Sequence, residues 1–307
     1  MKYGALSHDG TTPMSYYGRP VIKEPTWRWY IGAYLFVGGL AGASAPLALA
    51  ARLQKNETLA RTALGAAFVG VALSPILLIA DLGDRKRFIN MLRVFKVTSP
   101  MSVGSWILTV FGTAAGAAAL SEFTGSAKPA GRTAEVVAAL TGPALATYTA
   151  ALIADTAVPV WHDALGELPF IFAGGAVASA ASCALVATPV ADAALPRRLL
   201  FLGAFVEFAM LERMKRRLGP LVGEPYKMGR AGVFKNAART TTLASVALLL
   251  PARTNRTAAR VSGILGMIGA CCERFSIFEA GKQSARDPKY TVEPQRARRA
   301  SRAPTAT

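Results

Sequence analysis

The sequence predicts an all-α integral membrane protein with about eight transmembrane helices. Three observations support this fold class. Hydrophobic residues make up 52% of the 307-residue chain, charged residues make up only 17%, and the mean hydropathy is +0.33. Apolar runs of about 20 residues, the length that crosses a hydrocarbon core of about 30 Å, recur along the chain. Basic residues are concentrated in the polar segments between these runs.

Five apolar runs are strong candidates for membrane spans. They cover residues 29–51, 62–81, 102–120, 136–161 and 169–189. Three weaker runs follow at 195–214, 238–252 and 258–280. The sixth and eighth runs contain charged residues and the seventh is short, so each of the three could instead be an amphipathic or re-entrant segment. We predict eight helices, of which the seventh has the weakest signal.

The chain is predicted to divide into four parts. Residues 1–26 are polar and rich in Gly and Pro, without the apolar core of a signal peptide, so the first span is expected to act as the insertion signal. The first four spans occupy residues 27–161, and the last four occupy residues 162–282. Residues 283–307 form a basic, proline-containing tail that is expected to be solvated or to be ordered by a partner.

The placement of basic residues predicts the orientation in the membrane. Lys and Arg collect in short loops on the cytoplasmic side. With eight spans, the side that holds both termini carries about 24 Lys and Arg residues and the opposite side about 10. We therefore expect a multi-pass protein of the cell (inner) membrane with both termini in the cytoplasm. This topology accounts for the net charge of +17, so no nucleic-acid partner is predicted.

The chain lacks the residues that would hold a redox centre of its own. Its three cysteines, Cys183, Cys271 and Cys272, form no C-x-x-C pair, so the chain alone cannot ligate an Fe–S cluster. Its two histidines are His8, in the polar N-terminal segment, and His162, at the end of the fourth run, which excludes a bis-histidine haem between helices. No metal site is predicted, and a redox role would require a diffusible cofactor.

Carboxylates inside apolar runs are the residues most indicative of function. Each costs a few kcal/mol in a membrane, so it normally faces a cavity, a partner or a proton path. Asp81 could instead cap the turn that follows it or pair with Arg85. Glu207 is expected to neutralise Arg274. The four candidate carboxylates are Asp81, Asp155, Glu207 and Glu273.

Asp155 has additional support for a functional role. Tyr148 precedes it by seven residues in the same predicted helix, and Pro143 and Pro159 favour a kink there. A kinked helix that carries an acid and a tyrosine is typical of a functional site more than of a simple span.

Four segments of the sequence resemble a known family. They are YIGAYLFVGGLAGAS, DLGDRKRFINMLRVFKVTSPMSVGSW, YTAALIADTAVPVW and ERFSIFEAGKQSARDPKY, in this order and separation. Together they resemble the NrfD family of polysulfide-reductase-type membrane subunits. The resemblance extends from Trp27 to about Tyr290, and the segment from Asp81 to Trp106 is the most diagnostic part.

The resemblance implies a fold and a function. The expected fold is an eight-helix subunit built as two four-helix bundles without haem. The expected function is electron exchange with a quinone or quinol, either menaquinone or ubiquinone, as the membrane anchor of an oxidoreductase whose catalytic centre lies in another subunit. The implied partners are a ferredoxin-like subunit with several Fe–S clusters and, often, a molybdopterin catalytic subunit. The basic loop after Asp81 would shape the surface on which the Fe–S partner docks.

The candidate site follows from the chemistry of quinone reduction. Two-electron reduction takes up two protons, so the quinone oxygens need donors that can be re-protonated from water. Asp81, where the family keeps an acid near its quinone pocket, is predicted to be a donor together with Tyr148 and Asp155. The family commonly has a small or neutral residue at the last position, so no role is carried over to Asp155. Tyr34 and Trp106 are predicted to flank the ring, although ordinary helix packing explains them equally well.

Two other classes of function remain open at this stage. A stand-alone membrane transporter or proton channel could use the four intramembrane carboxylates as a relay. The sequence shows no clear inverted hydropathy repeat, and the family resemblance points elsewhere. A purely structural anchor would not need acids in the second and fourth spans.

Overall fold

The computed structural model describes residues 20–84 and 86–302, and this part of the chain is helical without any β-strand. Three short 3₁₀ turns connect longer helices, at Val190–Asp192, Glu224–Lys227 and Pro251–Arg253. Two residues discussed above, His8 and Arg85, lie outside the described residues. The described part contains eleven α-helices: α1 (Trp29–Leu53), α2 (Glu57–Asp81), α3 (Arg87–Met91), α4 (Pro100–Thr124), α5 (Lys128–Ala154), α6 (Pro159–His162), α7 (Leu168–Ala187), α8 (Ala194–Val222), α9 (Gly229–Ala247), α10 (Arg256–Arg286) and α11 (Lys289–Arg302).

Six of the described helices are long and apolar enough to cross a membrane. They are α1, α2, α4, α5, α7 and α10, and they confirm the predicted all-α integral membrane class. The eighth predicted span, residues 258–280, lies within α10. The sixth and seventh predicted spans correspond to α8 and α9, which are helical but less apolar; the last turns of α8, for example, carry Lys215, Arg216 and Arg217. The count of eight spans therefore stays a prediction.

The helix contacts fall into two groups. In the first half, α1 packs on α2 and α5, and α4 packs on α5 and α2. In the second half, α7 packs on α8 and α10, and α9 packs on α10. Contacts of α7 with α1 and α5 join the two groups.

Glycines allow the closest helix crossings. A Cβ atom on Gly42 of α1 would lie 2.5 Å from the carbonyl oxygen of Gly142 on α5. Gly203 of α8 is in a similar position, because its Cβ would lie 2.7 Å from the carbonyl oxygen of Gly174 on α7. Small residues at such crossings let the backbones approach closely. The resulting van der Waals packing holds helices together in lipid, where no hydrophobic driving force acts between them. The outward faces instead expose large apolar side chains, such as Phe68, Val69 and Ile76 on α2.

The fourth predicted span differs from the observed helix. We expected a span over residues 136–161, but α5 begins at Lys128 and ends at Ala154, and the short α6 starts only at Pro159. Proline disfavours the helical conformation in the residue before it and lacks an N–H to continue the hydrogen-bond ladder. Asp155 consequently lies at the C-cap of α5 instead of inside a span.

The C-terminal tail also contains regular structure that its basic, proline-containing sequence does not predict. Residues 283–286 are the last turn of α10, and α11 covers Lys289–Arg302. Tyr290 at the start of α11 is buried, and its hydroxyl donates to Glu224 Oε2 at 3.0 Å. Lys289 Nζ pairs with the same carboxylate at 2.8 Å. These contacts attach α11 to the 3₁₀ turn after α8.

Candidate functional site

A cavity of about 430 Å³ lies in the first half of the protein, among α1, α2, α3, α4 and α5. It is at the end of the helices where α2 and α5 finish and α1 and α4 begin, which we call the Asp81 end. Most of its lining is apolar and includes Ile31, Phe68, Val71, Met91, Met101 and Leu108. The polar side chains that reach it are Tyr34, Asp81, Ser105, Thr109, Thr113 and Tyr148.

Two tyrosines from different helices form a hydrogen-bonded pair on the cavity wall. Tyr34 of α1 is fully buried, and its hydroxyl is hydrogen-bonded to the hydroxyl of Tyr148 on α5; either oxygen can be the donor. The ring of Tyr148 fits against α4 only because residue 104 is glycine, since a Cβ at Gly104 would overlap that ring. Packing among three helices, α1, α4 and α5, therefore fixes the position of the tyrosine pair.

Asp81 is the last residue of α2, and it lines the same cavity. Its Oδ1 accepts a hydrogen bond of 2.8 Å from the backbone N–H of Arg28, the residue just before the first turn of α1. A carboxylate at this position satisfies a free N–H group, and its negative charge is stabilised by the positive end of the helix dipole. Of the two structural alternatives for Asp81, a cap on the following turn gives way to a cap on a helix start 53 positions earlier in the chain, and a pair with Arg85 lies outside the described residues.

Two of the five predicted site residues are not at the cavity. Asp155 is exposed at the C-cap of α5. Trp106 packs edge-to-face against Phe95, with 6.2 Å between the ring centroids. The cavity-lining residues of α4 include Met101, Ser105, Leu108 and Thr109, so Trp106 projects from another face of the helix. The structure therefore brings together Tyr34, Tyr148 and Asp81, and it separates Asp155 and Trp106 from them.

Other cavity residues were not identified from the sequence. Trp27 lines the cavity and stacks on Trp161 with 5.8 Å between the ring centroids. Ser105 and Thr109 also line the cavity from α4, and their hydroxyls donate to backbone carbonyl oxygens of the same helix. Met101, Ser105, Leu108 and Thr109 have the spacing of residues on one face of a helix. This periodicity was the sequence signal that could have identified them as neighbours.

The segment between α2 and α4, residues 82–99, covers one side of the cavity, and we call it the rim segment. Phe88 and Met91 of α3 contribute to the cavity wall. The same segment exposes four large apolar side chains, Ile89, Val94, Phe95 and Val97. It also exposes Lys86, Arg93 and Lys96. A mixed apolar and basic surface therefore lies directly beside the cavity.

A buried charged group lies in the second half of the protein. Arg274 of α10 is fully buried, and its Nη2 donates to the carbonyl oxygen of Phe172 at 2.8 Å. Glu207 of α8 is buried nearby, but among the described residues it forms no ion pair with Arg274 within 4.0 Å. Glu207 and Arg274 therefore interact electrostatically, as expected, but without a direct ion pair. In this part of the chain no group of three His, Cys, Asp or Glu residues is placed to hold a metal ion.

The cavity lies in the part of the chain that matches a known protein family. The family model described as polysulphide reductase, NrfD, matches residues 21–199, which include Tyr34, Asp81 and Tyr148. No curated protein matches the chain. Because the family match covers more than half of the 307 residues, this chain belongs to the NrfD family and is an integral membrane subunit of a polysulphide reductase-like oxidoreductase.

Proposed function

We propose that this chain exchanges electrons with a quinone or quinol at the cavity of the Asp81 end, and that it anchors a multi-subunit oxidoreductase in the membrane. The observation that carries this proposal is the position of Tyr34, Tyr148 and Asp81 on a mostly apolar cavity of about 430 Å³. A small number of polar groups in an apolar pocket is typical of small-molecule and cofactor sites.

The residues present fit a quinone. The apolar side chains from α2, α3 and α4 suit the ring and its hydrophobic tail, and the three polar groups suit the two ring oxygens. Menaquinone and ubiquinone both satisfy this description. When bound, the quinone supplies two-electron redox chemistry, and the protein supplies binding, orientation and protons.

The tyrosine pair can donate to a ligand oxygen. Each hydroxyl carries one donor proton, and the bond between Tyr34 and Tyr148 uses only one of the two. The other proton remains for an oxygen atom in the cavity. Which tyrosine keeps it is set by the ligand, because either oxygen can act as the donor within the pair.

Asp81 is suited to exchange protons with water. It lies in the last turn of α2, beside the exposed rim segment, and it also lines the cavity. Its Oδ1 is held by the backbone of Arg28, which fixes the carboxyl group while the second oxygen is available to hold a proton. We assign Asp81 the role of the proton-exchanging residue and assign no role to Asp155 or Trp106.

The proposed electron donor or acceptor is a ferredoxin-like subunit with several Fe–S clusters, joined by a molybdopterin catalytic subunit. Three cysteines cannot hold a cluster in this chain alone, so electrons must reach the cavity from a partner. The rim segment is the proposed docking surface. Its exposed Ile89, Val94 and Phe95 would be covered by the partner, and its lysines and arginines would fix the orientation.

The proposed location is the inner cell membrane with both termini in the cytoplasm. The N- and C-terminal segments meet in the structure, since Arg286 pairs with Glu24 at 2.7 Å and Lys282 Nζ donates to the Trp27 carbonyl oxygen at 2.9 Å. The residues just before α1 and at the end of α10 thus lie at the same end of the helices, which supports placing both termini on one side. A reporter fused after Thr307 should report the cytoplasm, and one near Lys128 should report the outside. The reverse result would move the partner to the outer face.

The transporter alternative gains no support from the positions of the acids. Asp81 ends α2 and Asp155 follows the last residue of α5, so both lie at the Asp81 end and together do not extend across the membrane. A relay through all four carboxylates would need Asp81 or Asp155 to lie nearer the opposite membrane face.

Tryptophan fluorescence offers a direct test of ligand binding at this cavity. A short-chain ubiquinone or menaquinone analogue added to the purified chain should quench Trp27, because this ring lines the cavity. Trp27→Phe should remove most of the quenching, whereas the matched control Trp106→Phe should leave it nearly unchanged. Quenching lost in Trp106→Phe and retained in Trp27→Phe would place the ligand elsewhere and overturn the proposal.

A further inference from the structure

We propose that Glu207, Glu273 and Arg274 form a proton-exchange site in the second half of the protein, independent of the cavity at the Asp81 end. Glu273 is the residue that meets water, and Glu207 is the inner acid. The argument rests on burial, on unpaired polar atoms and on a second cavity.

The three side chains are deeply buried. Glu207 is 4% exposed, Glu273 is 5% exposed and Arg274 is 2% exposed. Within the described residues, Glu207 Oε1 and Arg274 Nη1 have no hydrogen-bond partner. Buried polar atoms are normally paired, and a buried ion pair with a purely structural role would be expected to join these two atoms. Their being left unpaired indicates a group that changes its partners.

Contacts with α7 fix the position of the arginine. Its guanidinium lies 3.9 Å from the centroid of the Phe172 ring, and Nη2 donates to the backbone carbonyl of the same residue. A Cβ at Gly175 would overlap both the Glu207 carboxyl group and the Arg274 guanidinium, so the two groups meet at this glycine. Arg274 is therefore anchored on one side and leaves Nη1 free on the other.

One buried cation faces two acids. Glu207 is within electrostatic reach of both Arg274 and Glu273. A charge cluster in a medium of low dielectric constant is most stable when it is neutral. Lys215 and Lys235, which line the second cavity, act on Glu273 as further cations, whereas Arg274 is the cation that acts on Glu207. Arg274 can balance only one of the two buried carboxylates, so Glu207 is the acid that holds a proton when Glu273 is ionised.

A second cavity gives this proton a path to water. It has a volume of about 300 Å³ and lies between the C-terminal half of α8, the 3₁₀ turn at Glu224–Lys227, α9 and α10. Glu273 lines it from α10. The other polar and charged groups that face it are Glu212, Lys215, Tyr226, Lys235, Asn236 and Arg239.

The position of Glu273 on this cavity makes it the point of proton entry. The side chain of Lys215 is partly exposed, so the cavity opens near the polar end of α8. Glu212 is already paired with Arg216 at 3.2 Å and lies on the exposed side. Cys271 and Cys272 precede Glu273 on α10. Of the two acids that line the cavity, Glu273 alone is buried beside Arg274.

The proposed step is a proton transfer without electron transfer. A proton leaves water in the second cavity and binds a carboxylate oxygen of Glu273. That O–H bond then breaks as a new O–H bond forms on Glu207, and Arg274 becomes the counter-ion of the newly ionised Glu273. The reverse sequence returns the proton to water.

Infrared spectroscopy after a pH jump tests the site in the purified full-length chain. The wild type should show a carboxyl signal that disappears in Glu207→Gln. In Glu273→Gln the Glu207 signal should persist but develop about tenfold more slowly or worse, because its proton donor is missing. Glu273→Asp, which keeps an exchangeable acid, should restore most of the rate, and the control Glu212→Gln should match the wild type.

Two results would overturn the proposal. One is a wild-type spectrum without any signal that depends on Glu207. The other is an unchanged rate in Glu273→Gln. Quenching of Trp27 by a quinone analogue can be measured on the same samples, so failure of this site is distinguishable from failure of the quinone proposal.

Discussion

The two ends of the first helix group differ in how their acidic side chains are paired. At the end where α1 and α4 finish, which we call the Arg52 end, one guanidinium joins three acids: Arg52 pairs with Glu57 and contacts Glu135 at 2.8 Å and Glu122 at 3.0 Å. Glu135 and Glu122 each have a further cation, Arg132 for Glu135 at 3.2 Å and Arg61 for Glu122 at 2.8 Å. At the Asp81 end, the cavity lining contains one acid, Asp81, which accepts a hydrogen bond from a backbone N–H.

The difference shows how acids that hold helices together can be distinguished from acids that can exchange protons. Glu135 and Glu122 are held by several cations, so their charges are fixed and the four helix ends are tied together. Asp81 forms no ion pair among the described residues and faces a cavity. The same distinction applies in the second half, where Glu207 keeps an unpaired oxygen.

The largest expected effect follows from breaking the network at the Arg52 end. Arg52→Ala leaves the buried Glu135 with only the half-exposed Arg132, which should destabilise the protein by about 3 kcal/mol, the scale for removing one partner of a buried ion pair. Thermal unfolding in detergent measures this as a lower Tm. Quinone turnover per assembled complex should be unchanged.

The matched control for this prediction is Arg61→Ala. Arg61 pairs with Glu122 but its side chain is 65% exposed, so its loss should cost about 1 kcal/mol or less. Equal Tm losses in the two variants, or reduced turnover in folded Arg52→Ala, would show that the two ends are not functionally distinct.

A smaller effect is expected from moving one wall of the cavity. The added methyl group of Gly104→Ala would displace the Tyr148 ring and disturb its bond to Tyr34, so binding of a quinone analogue should weaken about tenfold. Gly116→Ala is the control on the same helix, because no heavy atom lies within 4 Å of its Cβ position. Equal binding in the two variants would argue against a role for the tyrosine pair.

The smallest effect concerns the pH dependence of the contact between the terminal segments. The hydrogen bond from Arg286 lowers the pKa of Glu24 below its ordinary value of 4.5. The carboxylate is thus favoured in the folded state, and its stabilisation is present above the unfolded-state pKa and disappears as the pH falls through the lower folded-state pKa. Because both side chains are partly exposed, the effect should be under about 1 kcal/mol.

Glu24→Gln tests this sign directly. The wild type should unfold at a slightly higher temperature than the variant near neutral pH, and the difference should vanish in acid. A difference that persists below the range in which Glu24 titrates would mean that the ion pair is not its source.

The sequence was sufficient for the helices and for part of the site. Apolar runs of membrane length identified all six of the most apolar helices, because hydropathy is a local property. Asp81 and Tyr148 could be selected because an acid or a tyrosine is conspicuous within such runs. Asp155 was selected for the same reason and Trp106 as a residue that could flank the quinone ring, but the helix break before Pro159 and the orientation of α4 keep them from the cavity.

The missed features depend on contacts between residues far apart in the chain. The cap of Asp81 on Arg28 joins residues 53 positions apart, and the pair of Tyr34 and Tyr148 joins residues 114 positions apart. Arg52 and Glu135 are separated by 83 positions, and each looks like an ordinary charge near the end of a span. Helix periodicity carries no information on which of these faces meet, so the cavity and the charged network became visible only in the folded chain.

Asp81→Asn gives the most direct test of the central claim, that an acid at the cavity exchanges protons with a bound quinone. Asparagine keeps an Oδ1 atom for the Arg28 N–H but has no exchangeable acid proton. The complex should therefore assemble with normal Fe–S content and normal activity toward an artificial dye. Quinone-coupled turnover per assembled complex should fall by about 10²-fold or more, the scale for losing a general acid or base. Quinone turnover equal to that of the wild type would contradict the account and remove Asp81 from the site.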